Sequence, residues 1–435
     1  MTVPNGVDWP CDADLPVRLA TALTGQKPGA VEIVLFRSGR ESRWILDDAG
    51  RPVEPVGSHE VRLSATCTAK LFTTTAILEA CARHGIALDA ELTAVLPGER
   101  SNGFWNGVTL EQLLMHTHGL DDPALPIFPR RADGRIDLNR LLTRIASIPR
   151  IAAPDAMFSS TDLGPLLAAA VMEQLLAMRF DTILQRYLPA GFDIAAMSEA
   201  SSTLSWKEIP DYICPTTGGK LTVTASDLMR LMRCYFEAPG AARSIACVRH
   251  RTPPAWTTMG QTVCLGWNGH AGDWFGYNAT TLGGGSTLMR FHPQTASAFV
   301  IVSKVVPAFA IYHAILKASL PEFAALRPPR SLTAQELHAA DLLAYTGRFA
   351  SGPLTATIEV DAERRLALVI ENRHGAPPVL REPMRHHLRL GLDHSFCSMP
   401  LNAKVMPYGR FLRDPQRHDS FEYLWNGRYL WRRSA

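Results

Sequence analysis

The sequence predicts an α+β chain whose large first domain is followed by a small antiparallel β-barrel. Three observations carry this: strand patterns lie near the start and again near residue 300, a helical middle separates them, and short strand patterns follow a proline cluster. Residues 30–36 are apolar and partly β-branched, and Arg37-Ser38-Gly39-Arg40 then leads to Trp44-Ile45-Leu46, a strand, a turn and a strand. Residues 68–84 show helical spacing of Leu71, Ala76, Ile77, Leu78, Ala80 and Cys81, and stop at Gly85, which accepts a left-handed helix end. From there to about residue 238 the pattern is mainly helical with polar loops. The apolar run 163–178 contains Glu173 and Gln174 and is shorter than the roughly 20 residues of a membrane span, so it reads as a buried helix. Residues 286–291 and 298–302 read as strands joined by His292-Pro293-Gln294. Strands from both ends then close one antiparallel sheet around a helical subdomain.

Arg327-Pro328-Pro329-Arg330-Ser331 reads as a linker, because consecutive prolines resist both helix and central strand. Beyond it come a helical stretch over 334–343, the segment Tyr345-Thr346-Gly347-Arg348-Phe349, and alternating strands over 354–360 and 366–370. The expected division is a large domain over 1–326, a linker over 327–340 and an antiparallel β domain over 341–435.

The 435 residues carry 44 Lys and Arg against 41 Asp and Glu, a formal charge of +3. This balance offers no basic field for nucleic acid or an acidic membrane, so neither is an expected partner. Eight cysteines, at 11, 67, 81, 214, 234, 247, 264 and 397, are scattered without a CxxC pair, which argues against a disulfide framework or a zinc cluster. His374, His386 and His387 have no carboxylate or thiol at ligand spacing, so neither a metal nor another cofactor is expected. The first ten residues hold Asp8 and no apolar core, so the expectation is a cytoplasmic protein without a secretory signal.

Cys67-Thr68-Ala69-Lys70 sets a nucleophile and an amine three residues apart at a helix start, on one face. A lysine in a partly desolvated cleft can lose its proton and act as a base, or stay charged and pair with a thiolate. Such a segment alone also fits a small buried cysteine followed by a solvated lysine.

The wider context resembles a family. Cys67-x-x-Lys70-Leu71-Phe72-Thr73 with Ala76-Ile77-Leu78 resembles the SxxK segment of the serine β-lactamase, penicillin-binding-protein and class C esterase superfamily, with Cys at the serine position. Gly107-Val108-Thr109-Leu110, then Leu113-Leu114-Met115-His116-Thr117-His118-Gly119-Leu120, and Gly218-Gly219 through Thr224-Ala225-Ser226-Asp227-Leu228 resemble further family segments in the same order, over roughly residues 25 to 320. The resemblance implies a β-lactamase-like fold, with the C-terminal part similar to the lipocalin-like β-domain of some relatives.

Where relatives carry a Tyr-x-Asn segment, this chain has Phe158-Ser159-Ser160-Thr161-Asp162-Leu163-Gly164, placing Ser160 at the tyrosine and Asp162 at the asparagine. The resemblance then assigns Cys67 as nucleophile, Lys70 as base or ion-pair partner, Ser160 as proton relay and Asp162 as a partner able to hold the lysine charged. The third family motif has two readings, Asn278-Ala279-Thr280 with Tyr277 as neighbour, or Gly269-His270-Ala271-Gly272; both lack the family's lysine. Backbone amides of Cys67 and Thr281 would form the oxyanion hole. Tyr277, Asn278, Thr280, His270, His118 and Tyr212 would line the substrate cleft.

A thiol ionises more readily than a hydroxyl, so sulfur makes loss of the tyrosine and the cation tolerable. The expected activity is an acyl-enzyme hydrolase or acyltransferase, in secondary metabolism, on a small amide, ester or thioester. The small-molecule acyl substrate is the expected partner, and a homo-oligomer is left open. The alternatives are a catalytically silent relative that binds a ligand or partner in the old cleft, and a cysteine that replaces an original serine.

Overall fold

The computed structural model describes residues 29–37, 39–54, 60–96, 106–121, 129–146, 150–199, 213–237, 240, 246, 250–251, 260–281, 284–304, 307–315, 333–375, 380–399, 408–414, 417–425 and 430–434. The first ten residues, Cys11, Cys247, the proline cluster at 327–331 and Gly427-Arg428-Tyr429 lie outside them. The chain forms two compact units: Met1–Leu88, Ala168–His250 and Thr262–Leu326 make the first, and Asp89–Leu167, Arg251–Gln261 and Arg327–Ala435 the second. The second unit therefore joins the C-terminal strands with residues 89–167, which the linear division at 326 separates.

The first unit is built on strands β1 (Val31–Arg37), β2 (Arg40–Leu46), β3 (Pro52–Val53), β4 (Leu63–Ser64) and β5 (Thr222–Val223), followed by β6 (His250–Arg251), β7 (Thr262–Cys264), β8 (Asn268–Gly269), β9 (Phe275–Thr280), β10 (Ser286–His292) and β11 (Ser297–Ser303). Nine of them form one sheet in the order β3-β2-β1-β11-β10-β9-β8-β7-β6, while β4 and β5 pair separately. β1 runs antiparallel to β11 with Val31 opposite Ser303, so the two ends of this part of the chain close the sheet, as the strand patterns predict. Side chains alternate across the pleat. Val31, Ile33, Leu35, Leu288, Phe299 and Ile301 pack with Ala308, Ile311 and Tyr312, while Phe36 meets Phe236 and the Arg233 guanidinium on the other face.

Besides two short helices, Leu92–Val95 and Ile194–Glu199, the described helices are α1 (Ala69–His84), α2 (Leu110–Leu114), α3 (Leu138–Ile145), α4 (Leu163–Leu176), α5 (Phe180–Tyr187), α6 (Ala225–Arg233), α7 (Ala308–Ile315) and α8 (Ala334–Ala339). α1 ends as its sequence predicts, with Gly85 at φ 66° and its N–H on the Cys81 carbonyl. Its burial departs from an amphipathic helix: residues 69–78 are all buried, so α1 is a core helix, packed against α5. α4 ends before Ala177, at φ 53°, and the buried Glu173 carboxylate accepts the Phe180 N–H at 2.6 Å, which caps α5. α4 and α5 meet at a bend of 84°, and among the described residues no single helix is long and apolar enough to cross a membrane.

The C-terminal strands β12 (Gly347–Ser351), β13 (Leu354–Val360), β14 (Leu366–Asn372), β15 (Met384–Leu390), β16 (Ser395–Met399), β17 (Tyr408–Asp414), β18 (Arg417–Trp425) and β19 (Leu430–Arg433) form a closed barrel in sequence order. Closure of β12 on β19 removes both sheet edges. Phe349, Ile358, Leu368, Phe396, Phe411, Phe421 and Trp431 fill a packed core, joined by Tyr345, whose hydroxyl meets His394 Nδ1 at 2.7 Å.

Candidate active site

In the first unit, Cys67 sits partly exposed in a short 3₁₀ turn, Thr66–Thr68, that runs directly into α1. Thr66 stands at φ 45°, a left-handed conformation that a β-branched residue adopts at a cost of roughly 1–2 kcal/mol. Such strain persists where surroundings over-determine the backbone. Here the Ala65 N–H donates to the Leu221 carbonyl at 2.9 Å, the Thr68 N–H and Oγ1 both donate to the Ala65 carbonyl, and the Thr73 hydroxyl donates to the Pro215 carbonyl at 2.7 Å. Gly218 lies at φ 78°, and a Cβ there would stand 2.9 Å from Ala65 Cβ. The double glycine thus lets the loop 214–221 close on the turn that presents Cys67. One turn on, Lys70 is only 2 % exposed.

Upstream, the fully buried Glu32 on β1 pairs with Arg43 and accepts the Val61 N–H at 2.8 Å, tying the segment before the turn to the sheet. Burial pushes the Glu32 carboxyl up, against the opposing pull of the Val61 N–H and Arg43. Glu60 also accepts the Ser226 hydroxyl at 2.7 Å, at the start of α6. α6 begins with a reciprocal cap between Thr224 and Asp227, which explains the threonine and aspartate of that segment as helix-start chemistry.

β9 packs beside the 3₁₀ turn. The Thr281 N–H donates to the Gly285 carbonyl at 2.6 Å, and the Thr281 carbonyl accepts from Gly284. The expected oxyanion donor is therefore committed to the turn between β9 and β10. Backbone groups alternate sides along an antiparallel strand, so Asn278 and Thr280 direct their N–H groups away from β10. β8 pairs only as far as Gly276, leaving both amides beyond its end. Thr280 replaces Thr281 as candidate donor, and the motif shifts by one residue to Tyr277-Asn278-Ala279. Tyr277 shares its side of the sheet with Met289, whereas Asn278 shares the opposite side with Leu288 and accepts the Arg290 guanidinium at 2.7 Å.

His270 lies where β8 turns toward β9, at the strand's other end from Thr280, with its N–H on the Trp274 carbonyl. It is 6 % exposed, so it is not a solvated loop histidine; burial, then the Arg290 charge, holds its pKa well below the ordinary histidine value. Arg290 itself is fully buried and pushed down to about 9 by that burial. Gly285 is closed in by Leu63 and the Ser303 carbonyl and serves packing. Tyr212 and Gly283 lie outside the described residues.

In the second unit, Ser160 sits just before α4, 4 % exposed, at the centre of a tight turn in which the Thr161 N–H donates to the Ser159 carbonyl at 2.8 Å. The Ser159 N–H donates to the His116 carbonyl at 2.9 Å, and the Asp162 carbonyl accepts from Leu166, opening α4. His118 takes the Leu120 N–H on Nδ1 at 3.1 Å and meets Thr161 Oγ1 through Nε2 at 3.1 Å, so Nε2 carries the proton. Burial pushes its pKa down to about 3, with Arg150 adding to the shift. Both nitrogens are committed within the fold, which makes His118 a holder of the Ser160 segment and removes it from the expected substrate-lining set. Gly164 is required beside it, because a Cβ there would stand 2.3 Å from the Leu113 carbonyl.

A profile of the beta-lactamase family matches residues 21–320, and the chain belongs to that family. No curated protein sequence matches the chain. Among solved structures, SurE with D-Leu is 20 % identical, covering 97 % of this chain and 99 % of its own, at a TM-score of 0.69. The octameric penicillin-binding protein homologue from Pyrococcus abyssi is 14 % identical over 96 % of this chain and 99 % of that one, at 0.55. D-amino acid amidase from Ochrobactrum anthropi SV3, complexed with L-phenylalanine, is 13 % identical over 72 % of this chain and all of its own, at 0.53. At these identities the likeness is one of fold: a β-lactamase-like sheet and helices, here with a C-terminal closed eight-stranded antiparallel barrel.

Proposed function

We propose that this chain forms an acyl-enzyme on Cys67 and passes the acyl group to water or an amine, with a D-configured amino-acid residue in the substrate. The observation that carries the reading is the presentation of Cys67 itself: a partly exposed thiol on a strained, backbone-held turn, one helical turn before buried Lys70 and beside β9. Burying a lysine is costly, and a nucleophile's helper is a reason to bear that cost. The preference for D-residues draws on the names of two structural neighbours, SurE with D-Leu and a D-amino acid amidase.

In the proposed reaction the Cys67 sulfur attacks the substrate carbonyl carbon as its proton passes toward Lys70. The amides of Cys67 and Thr280 stabilise the resulting oxyanion. Collapse of that intermediate expels the leaving group, which takes up the proton, and leaves a thioester; water or an amine then attacks the thioester and regenerates the thiol. The family resemblance implies the remaining roles, Ser160 as proton relay and Asp162 as a partner able to hold the lysine charged. The reading implies a reducing compartment, since a nucleophilic thiol is otherwise oxidised.

The test is intact-mass analysis after incubation with D-leucine and L-leucine p-nitrophenyl esters. An acyl adduct mapping to Cys67, faster with the D-ester and absent in Cys67→Ala, is the expected result. Lys70→Met is expected to slow acylation by about 100-fold or more, the usual scale for loss of a positioned acid–base group. No adduct on the wild-type protein would overturn the reading in favour of a ligand-binding relative.

A further inference from the structure

We propose that the C-terminal barrel holds the Ser160 segment in place, with Asp121 and Ser159 as positioning residues gripping one rim of the barrel. The Asp121 carboxylate, 5 % exposed, accepts the Ser351 hydroxyl at 3.0 Å through Oδ1 and the Gly352 N–H at 2.7 Å through Oδ2, at the end of β12 and the turn into β13. Ser159 Oγ accepts the N–H of Leu430, the first residue of β19, at 3.0 Å. These attachments are neighbours. β12 and β19 pair as Phe349 with Arg433 and Ala350 with Arg432, and continuing that antiparallel register sets Ser351 and Gly352 across from Trp431 and Leu430. Both grips therefore fall on one end of the seam that closes the barrel.

Their other ends are joined by a second set of bonds. The Gly119 carbonyl accepts from Ile151 and Ala152, the Thr117 carbonyl from Asp155 and the His116 carbonyl from Ser159, while His118 meets Thr161. Asp121, residues 116–120, residues 150–161 and the barrel rim form a closed circuit of hydrogen bonds. Ser160 stands inside it, between two clamped neighbours, Ser159 and Thr161. A buried carboxylate accepting two donors is a strong attachment, and removing it leaves the Gly352 N–H unsatisfied. The role given to Ser160 rests on the function proposed above; the mechanical coupling does not.

The test uses full-length Ser159→Ala, Asp121→Asn and Ser159→Thr, reading hydrogen exchange of the peptide spanning 156–164 together with kcat and KM for D-leucine p-nitrophenyl ester. Loss of one such hydrogen bond is expected to raise exchange of that peptide and lower kcat by about fivefold each, with KM little changed. Ser159→Thr keeps the acceptor oxygen and is expected to restore both. Unchanged exchange over 156–164 in Ser159→Ala and Asp121→Asn, with any increase confined to the barrel strands, overturns the proposal. Exchange decides the clamp whether or not Cys67 acylates, and absence of wild-type acylation would instead overturn the functional reading.

Discussion

The turn that carries Cys67 and the segment that carries Ser160 are held by different means. The first is fixed mainly through the backbone, with the Thr68 and Thr73 hydroxyls assisting: the Ala65 N–H donates to Leu221, the Thr68 N–H donates to Ala65, and Gly218 closes against Ala65 without a side chain of its own. The second adds to its backbone bonds a set of side-chain supports, with both nitrogens of His118 and the hydroxyl of Ser159 engaged. A position held by main-chain bonds keeps those bonds when serine and cysteine are exchanged, because the Ala65–Leu221 and Thr68–Ala65 bonds do not run through residue 67. A side-chain-held segment moves with each substitution in its supports.

The sharpest way to break the first arrangement is Gly218→Val. A branched side chain at φ 78°, with its Cβ 2.9 Å from Ala65 Cβ, is expected to cost roughly 3 kcal/mol in equilibrium denaturation. His118→Gln is the corresponding break in the second. It is expected to lower stability by about 1–3 kcal/mol at neutral pH through lost and unsatisfied hydrogen bonds. It also carries a pH signature. Native His118 titrates near 3 against an ordinary value of 6.5, so between those limits the unfolded chain takes up a proton that the native chain refuses. Stability therefore falls as pH drops through that window, by up to about 1.4 kcal/mol per pH unit, and denaturation curves of the glutamine variant are expected to be flatter there. Thr224→Ala removes the cap of α6 and is expected to cost about 1 kcal/mol. Cys67→Ser should be smallest, within about 0.5 kcal/mol; a larger loss would contradict backbone support of the turn.

Much of the framework was legible in residue order. Gly85 after an apolar run marked the end of α1, and β-branched runs at both ends of the first unit marked the partners β1 and β11. The site was legible in part. Cys67 and Lys70 share a helix start because three residues nearly complete a helical turn. The phase of β9 was not legible: whether Thr280 or Thr281 offers its amide depends on how the strand enters the turn at Gly284 and Gly285, a one-residue difference that reverses every backbone group. The buried roles of His118 and His270 were also hidden, since a histidine's surroundings come from residues distant in the chain, such as Thr161 and Arg290.

The sequence by itself determined the strand and helix segments, their order, the family and the cysteine–lysine pair, because these rest on local spacing and on residue types read in order. Only the tertiary structure decided which amides of β9 turn away from β10, why Gly218 has no side chain, and that the barrel grips Asp121 and Ser159. Those features depend on contacts between segments up to 271 residues apart, whose geometry is set when the chain packs.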